Sequence, residues 1–297
     1  MSVCRRHSYV AQSIGNTLVL SVRNLTAMRL VGAMADGTVG VAVGAGVRLL
    51  ELYTFLAQQT PSLAVPGGSC PSVGVSGLTS GGGHGTTSAL LGLTADVVYA
   101  ADVVMQDPLT RRYIAVHANT TNEYADVLAA LRGGMGGNYG VVTAWYLRAT
   151  PIDDVVLFSF RARIAGDSLA DVTAKAVAFM SFIRAPKLMD GSALPAGRLW
   201  SNVKVMPQEL RFFGQCVCDA AGTADAKAAT VKSKASAARV RTANDCDSCH
   251  SALQYLHANV LATPSCDADD DSGWLSACST VQQSFGMVRE RVRACSC

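Results

Sequence analysis

Residues 66–96 read PGGSCPSVGVSGLTSGGGHGTTSALLGLTAD and hold nine glycines: Gly67, Gly68, Gly74, Gly77, Gly81, Gly82, Gly83, Gly85 and Gly92. A glycine has no Cβ, so a run this dense can take positive φ and bring its backbone close to another group. Successive free N–H groups in such loops form anion-binding concavities that suit a pyrophosphate. The same density also suits tight turns in a β-rich core, and the glycine count leaves the two readings equal. No Gly-Lys-Ser/Thr follows, and no clean dinucleotide fingerprint opens a helix, so neither phosphate motif applies.

Hydrophobic patterning around this run organises the first half as strands and glycine turns with a few helices. Short β-branched runs predict strands over 18–22 and 39–43. Apolar residues at helical spacing predict a helix over 48–59, ended by Pro61 and Pro66. A buried strand is expected over 97–104, a helix over 124–131 stopped by Gly133 and Gly134, and a strand over 141–147. Beyond Pro151 the glycines thin out and the elements lengthen. Strands are expected over 155–163, 199–206 and 210–218, with helices over 169–183 and 223–240. That β-α-β-β-α order implies an antiparallel sheet backed by helices. The expected class is therefore α+β, with one domain over 1–151 and a second, partial one over 152–297.

Composition removes several functions. With 49% hydrophobic and 16% charged residues the chain is not a disordered one. A net charge of +3, with no clustering of Lys and Arg, gives no footprint for nucleic acid. No apolar run reaches the ~18 residues needed to span a bilayer. Residues 1–9 place Arg5 and Arg6 before a polar stretch and lack an apolar core, so they are not a signal peptide. Either the chain stays inside the cell or its natural start lies upstream.

The cysteines argue for the second choice. Eight of the ten (Cys216, Cys218, Cys246, Cys249, Cys266, Cys278, Cys295 and Cys297) follow residue 215, a density that implies disulfides and an oxidising compartment. Asn24-Leu25-Thr26 and Asn119-Thr120-Thr121 are glycosylation sequons. An extracellular origin with a lost leader reconciles these features. Cys246-Asp247-Ser248-Cys249-His250 matches the CxxCH pattern of c-type haem attachment. A disulfide-rich tail explains it more simply, and no distal ligand or enclosing helical pocket is suggested. A zinc site from Cys246, Cys249, His250 and Cys266 lacks a second pair of ligands. The aspartates within 267–271 read as a solvated loop without calcium-loop spacing.

Four segments in order carry a resemblance. They are Arg6-His7-Ser8-Tyr9, then Val43-Gly44-Ala45-Gly46 with Leu52-Tyr53, then residues 66–96, and finally residues 131–143, LRGGMGGNYGVVT. Over residues 3–151 the chain resembles the berberine-bridge-enzyme-like oxidases of the vanillyl-alcohol-oxidase (PCMH-type) FAD superfamily. The resemblance implies FAD as cofactor, with His7 as the residue bonded covalently to the flavin and Cys70 as a second link. Imidazole and thiolate are both nucleophiles, and tethering would fix the ring's orientation.

The resemblance further implies contacts from Ser8, Val73, Gly74, Gly77, Thr79, Gly81, Gly82, Gly83 and Gly85 to the pyrophosphate and flavin edge. Gly140, Val141 and Val142 would meet the adenosine half. His84 is read as a packing or outer-layer residue and is not assigned to catalysis. Arg5 and Arg6 stand where the family has two glycines. The family's subdomain before this loop and its closing Asn-Tyr and Tyr-Tyr patterns have no counterpart, so the chain is expected to be truncated at both ends and no catalytic base is named. The implied activity is oxidation of an alcohol or sugar hemiacetal by hydride transfer to flavin, with O2 as acceptor. A non-catalytic flavin-binding or structural remnant is the alternative, and a cysteine-stapled extracellular interaction protein is a third reading.

Overall fold

The computed structural model describes residues 2–3, 19–134, 136–152, 155–164, 166–218, 246–256 and 258–259. The chain divides into two compact units between Pro151 and Ile152.

The first unit contains β1 (Ser2–Val3), β2 (Leu20–Ser21), β3 (Met28–Ala33), β4 (Val39–Gly44), α1 (Leu49–Ala57), β5 (Leu63–Ala64), α2 (Val75–Ser80), α3 (Ser88–Leu91), β6 (Val98–Gln106), β7 (Tyr113–Asn119), α4 (Ala125–Leu131) and β8 (Val141–Pro151). Its main sheet is antiparallel in the order β3-β4-β8-β6-β7, and β5 pairs with the end of β8. In β8 the alternation Trp145, Leu147, Ala149 points into the core, as the two-residue period of a strand requires. In α1, Leu49, Leu52, Tyr53 and Leu56 recur at i, i+3, i+4 and i+7 and cover that core with one helical face. Each fully buried Leu of this layer contributes about 1.5–3 kcal/mol. Glu51 secures the start of α1 by accepting from the Arg48 amide at 2.8 Å. Gly133, at φ +85°, ends the segment after α4 in a conformation only glycine takes without strain.

Three departures from the sequence reading have physical causes. The strand expected over 18–22 is reduced to β2, paired in parallel with β1, and Leu18 lies outside the described residues. β3 is an edge strand exposed along most of its length, so it shows no alternation to read. The glycine run is not all loop, because α2 and α3 form inside it.

The second unit contains β9 (Val155–Arg163), α5 (Leu169–Arg184), β10 (Leu199–Val205), β11 (Glu209–Val217) and α6 (Asp247–Leu256). Its sheet is antiparallel in the order β10-β11-β9. Phe158, Phe160, Phe179, Phe182 and Phe212 form its core with Leu210, Leu253 and Leu256. The Phe179 and Phe212 rings lie 4.2 Å apart. Ser168 caps α5 by accepting from the Asp171 amide at 3.2 Å. This is an α+β fold, and its β9-α5-β10-β11 order follows the expected β-α-β-β. The last described helix is α6, and the helix expected over 223–240 lies outside the described residues.

Disulfides Cys216–Cys249 and Cys218–Cys246 tie α6 to the end of β11. Both cysteines of the CxxCH pattern are thus engaged and have no thiol for a haem thioether. Cys266 and residues 267–271 lie outside the described residues.

Candidate cofactor site

Residues 66–68 are the point on which the surrounding elements converge. From α1, the Tyr53 hydroxyl donates to the Gly68 carbonyl at 2.9 Å. Burial pushes the Tyr53 phenol far above its usual pKa, so it remains a neutral donor. From the turn before β6, the Thr94 hydroxyl donates to the Pro66 carbonyl at 2.7 Å, while the Thr94 and Ala95 amides donate to Gly83 and Gly82. Gly85 closes on the same point: a Cβ there would sit 1.5 Å from the Gly67 oxygen. Gly82 and Gly83 take φ +101° and +76°, which lets the chain double back between these contacts.

The closing signature joins this arrangement from the other side. Just past α4, the Arg132 guanidinium donates to the Ala95 carbonyl at 2.9 Å. Gly133 then lies at contact distance from Gly82, and Gly136 faces Ser80, where a Cβ would be tight at 3.1 Å. Trp145 of β8 donates to the Ser76 hydroxyl at 3.1 Å and fixes α2 to the sheet. Three of the four segments singled out in the sequence therefore meet. His7 and Ser8, from the fourth, lie outside the described residues.

What the convergence leaves open is backbone. The Val75 amide donates to the Val47 carbonyl. The next amides, of Ser76 and Gly77, stand in the first turn of α2, where a helix offers no acceptor. Gly77 is exposed, and a Cβ on it would meet no atom within 4 Å. Gly81 is exposed beside it. The Thr79 hydroxyl is fully buried with no hydrogen-bond partner among the described residues. Gly74 is buried at the N-cap of α2, and Val73 packs against the core. An exposed glycine surface next to first-turn amides fits a dinucleotide cofactor by its donor set, whereas the Thr79 hydroxyl is buried beneath it.

Cys70 is half-buried and is the free cysteine among the described residues, with its Sγ 3.7 Å from the Ser72 hydroxyl. His84 is exposed, which speaks against the packing half of its expected packing or outer-layer role. Gly140 takes φ +131°, and a Cβ there would collide with Val103 and the Val104 carbonyl. Val141 packs with Val22 and Ala45, while Val142 is buried in the core, leaving only its backbone for a ligand. Tyr53, Thr94 and Arg132 enter the sequence reading only as members of the resembling segments, with no role assigned to them.

Residues 1–112 match the family model described as FAD binding domain. The amino-terminal part of the chain is thus similar to FAD-binding domains. Relatives of this domain include the FAD-linked oxidoreductase pytB of Aspergillus terreus, 36% identical over 147 residues, which are 49% of this chain and 17% of that protein. The uncharacterized FAD-linked oxidoreductase YgaK of Bacillus subtilis is 33% identical over 52% of this chain and 33% of its own. Berberine bridge enzyme-like 16 of Arabidopsis thaliana is 32% identical over 48% of this chain and 25% of its own. The chain thus spans a third or less of the length of these relatives.

Among solved structures, a VAO-type flavoprotein from Myceliophthora thermophila C1 superposes with a TM-score of 0.54 at 27% identity, over 67% of this chain and 34% of that one. GilR, an oxidoreductase that catalyzes the terminal step of gilvocarcin biosynthesis, gives 0.54 at 26% identity, over 67% of this chain and 42% of its own. The chain thus has VAO-type fold neighbours.

Proposed function

We propose that this chain holds FAD across α2 and the loop at residues 81–85, and that it serves the oxidation of an alcohol or a sugar hemiacetal with O2 as the final acceptor. The observation that carries this reading is the glycine surface at Gly77 and Gly81. A Cβ at Gly67, Gly83 or Gly85 would meet the protein's own atoms within 2.4 Å, whereas the space at Gly77 is empty.

In this reading the amides of Ser76 and Gly77, with the backbone of Val73, Gly74, Thr79, Gly81, Gly82, Gly83 and Gly85, hold the pyrophosphate and the flavin edge. The backbone of Gly140, Val141 and Val142 would meet the adenosine half. FAD supplies the hydride acceptor, and the protein supplies position and electrostatics. His7 is the candidate for a covalent bond to the flavin, and Ser8 beside it for a non-covalent contact. Cys70, unpaired and half-buried, is available for a second. The disulfides of the second unit agree with assembly in an oxidising, extracellular compartment.

The test is the visible absorption and denatured mass of the chain expressed through a secretory pathway. A yellow protein one FAD heavier after denaturation supports the covalent flavoprotein, and His7→Ala and Cys70→Ala then assign the bonds. Flavin bleaching by alcohols or sugars, followed by recovery in air, separates an oxidase from a non-catalytic flavin binder. A colourless chain of apo mass that stays colourless with added FAD would overturn the reading.

A further inference from the structure

Four cysteines from two short motifs meet in the second unit. Cys216 and Cys218 are two residues apart at the end of β11, so both face the same side. Cys246 immediately precedes α6 and Cys249 lies in its first turn, the two-residue spacing common in zinc ligand pairs. All four are buried, and the Cα separations across the pairs are 5.7 and 4.8 Å. The second ligand pair that the CxxC sequence lacks is thus supplied by the fold. As the structure stands, the sulfurs are consumed in disulfides, and no described cluster of His, Cys, Asp and Glu is arranged for a metal.

We propose that the reduced form of this cluster is a closed tetrathiolate site for Zn2+. Each disulfide takes two electrons and two protons from one molecule of a dithiol reductant, which leaves as its own disulfide. The four thiols then bind one Zn2+ and release four protons. A Zn–S bond of about 2.3 Å sets neighbouring sulfurs about 3.8 Å apart in a tetrahedron, a spread that side-chain rotation can supply on Cα atoms this close. The positive end of the ten-residue α6 favours thiolates at its first turn. The ion would hold α6 on the core through Ala252, Leu253 and Leu256, as the two crosslinks do in the oxidised chain. One cluster would thus lock the same helix under either redox condition.

The full chain, with its other six cysteines changed to serine, is reduced anaerobically with dithiothreitol, freed of reductant and titrated with Co2+. The expected result is one Co2+ per chain with the intense thiolate charge-transfer and visible bands of tetrahedral Co(II)–sulfur coordination, displaced by one equivalent of Zn2+. The oxidised chain should bind none, and Cys218→Ser with Cys249→Ser should reduce the tetrathiolate signal at least tenfold. Helical circular dichroism should recover on adding Zn2+ to the reduced chain. A reduced chain that binds no Co2+, or binding that persists in the double variant, would overturn the proposal, whether or not the reduced unit stays folded.

Discussion

The Thr94 hydroxyl donates to the Pro66 carbonyl across 28 residues of sequence, at 2.7 Å and with Thr94 almost completely buried. This bond ties the two ends of the glycine run, and its neighbours hang from it: the Thr94 amide holds Gly83, and Arg132 holds Ala95. Thr94→Val keeps the shape and removes the donor, leaving a buried carbonyl unsatisfied. The expected cost is about 1–3 kcal/mol of stability, with weaker FAD retention because residues 81–85 lose their anchor. Chemical denaturation of Thr94→Val beside Thr94→Ser checks it, since serine keeps the hydroxyl and should recover most of the loss.

Two glycines in the same run should respond in opposite ways to one methyl group. At Gly83, φ is +76° and a Cβ would lie 2.2 Å from the Thr94 Oγ1, so Gly83→Ala should cost about 1–2 kcal/mol for the conformation alone, with the clash added. Gly77 sits inside α2 with open space where its Cβ would be. Gly77→Ala should therefore leave the apo fold intact, or up to about 1 kcal/mol more stable. It should nonetheless lower FAD affinity if that space is the cofactor's. Thermal unfolding and flavin fluorescence titration of both variants separate the two effects, and unchanged FAD binding in Gly77→Ala would remove this residue from the site.

These contrasts mark what could be read from the residues alone. The run at 66–96 announces close backbone approach because nothing but glycine tolerates it, and Gly85 against Gly67 bears this out. α1 was legible because its apolar spacing matches a single buried face. β7 was not: in YIAVHAN only Val116 and Ala118 are buried, too small a signal beside the Asp107–Arg112 turn before it. α2 was hidden by the glycines that flank and interrupt it. At the site, Thr94 and Arg132 act through bonds to backbone carbonyls far along the chain. Such partners follow from the fold and leave no pattern in the local sequence.

In the second unit, Ser168 and Asp171 form a reciprocal cap at the start of α5. Hydrogen bonds from the Ser168 hydroxyl and amide hold the Asp171 carboxyl below its usual pKa. A carboxylate whose folded pKa is depressed contributes stability above its unfolded pKa and loses it as pH falls through the folded value. Ser168→Ala should cost about 0.5–2 kcal/mol at neutral pH. The gap from the parent should narrow below pH about 4 as Asp171 protonates, and urea titrations at pH 7 and pH 3 check both points.

Tyr53 gives the opposite sign. Its phenol is buried, donates to the Gly68 carbonyl, and has its pKa raised from 10.0 by desolvation. A group with a raised folded pKa contributes stability that is complete below the unfolded pKa and is lost as pH rises toward the folded one. Below pH 10, Tyr53→Phe should be less stable than the parent by about 1–3 kcal/mol, because the Gly68 oxygen loses its buried donor. Above pH 10 the unfolded parent can ionise Tyr53 while the folded parent cannot, so the parent should lose up to about 1.4 kcal/mol per pH unit that the variant keeps. The gap between the two stability curves should therefore narrow by up to about 1.4 kcal/mol between pH 10 and 11 when unfolding is followed by denaturant titration. Parallel curves would mean that Tyr53 ionises as readily in the folded protein as in the unfolded one, and that the clamp on Gly68 is open to solvent.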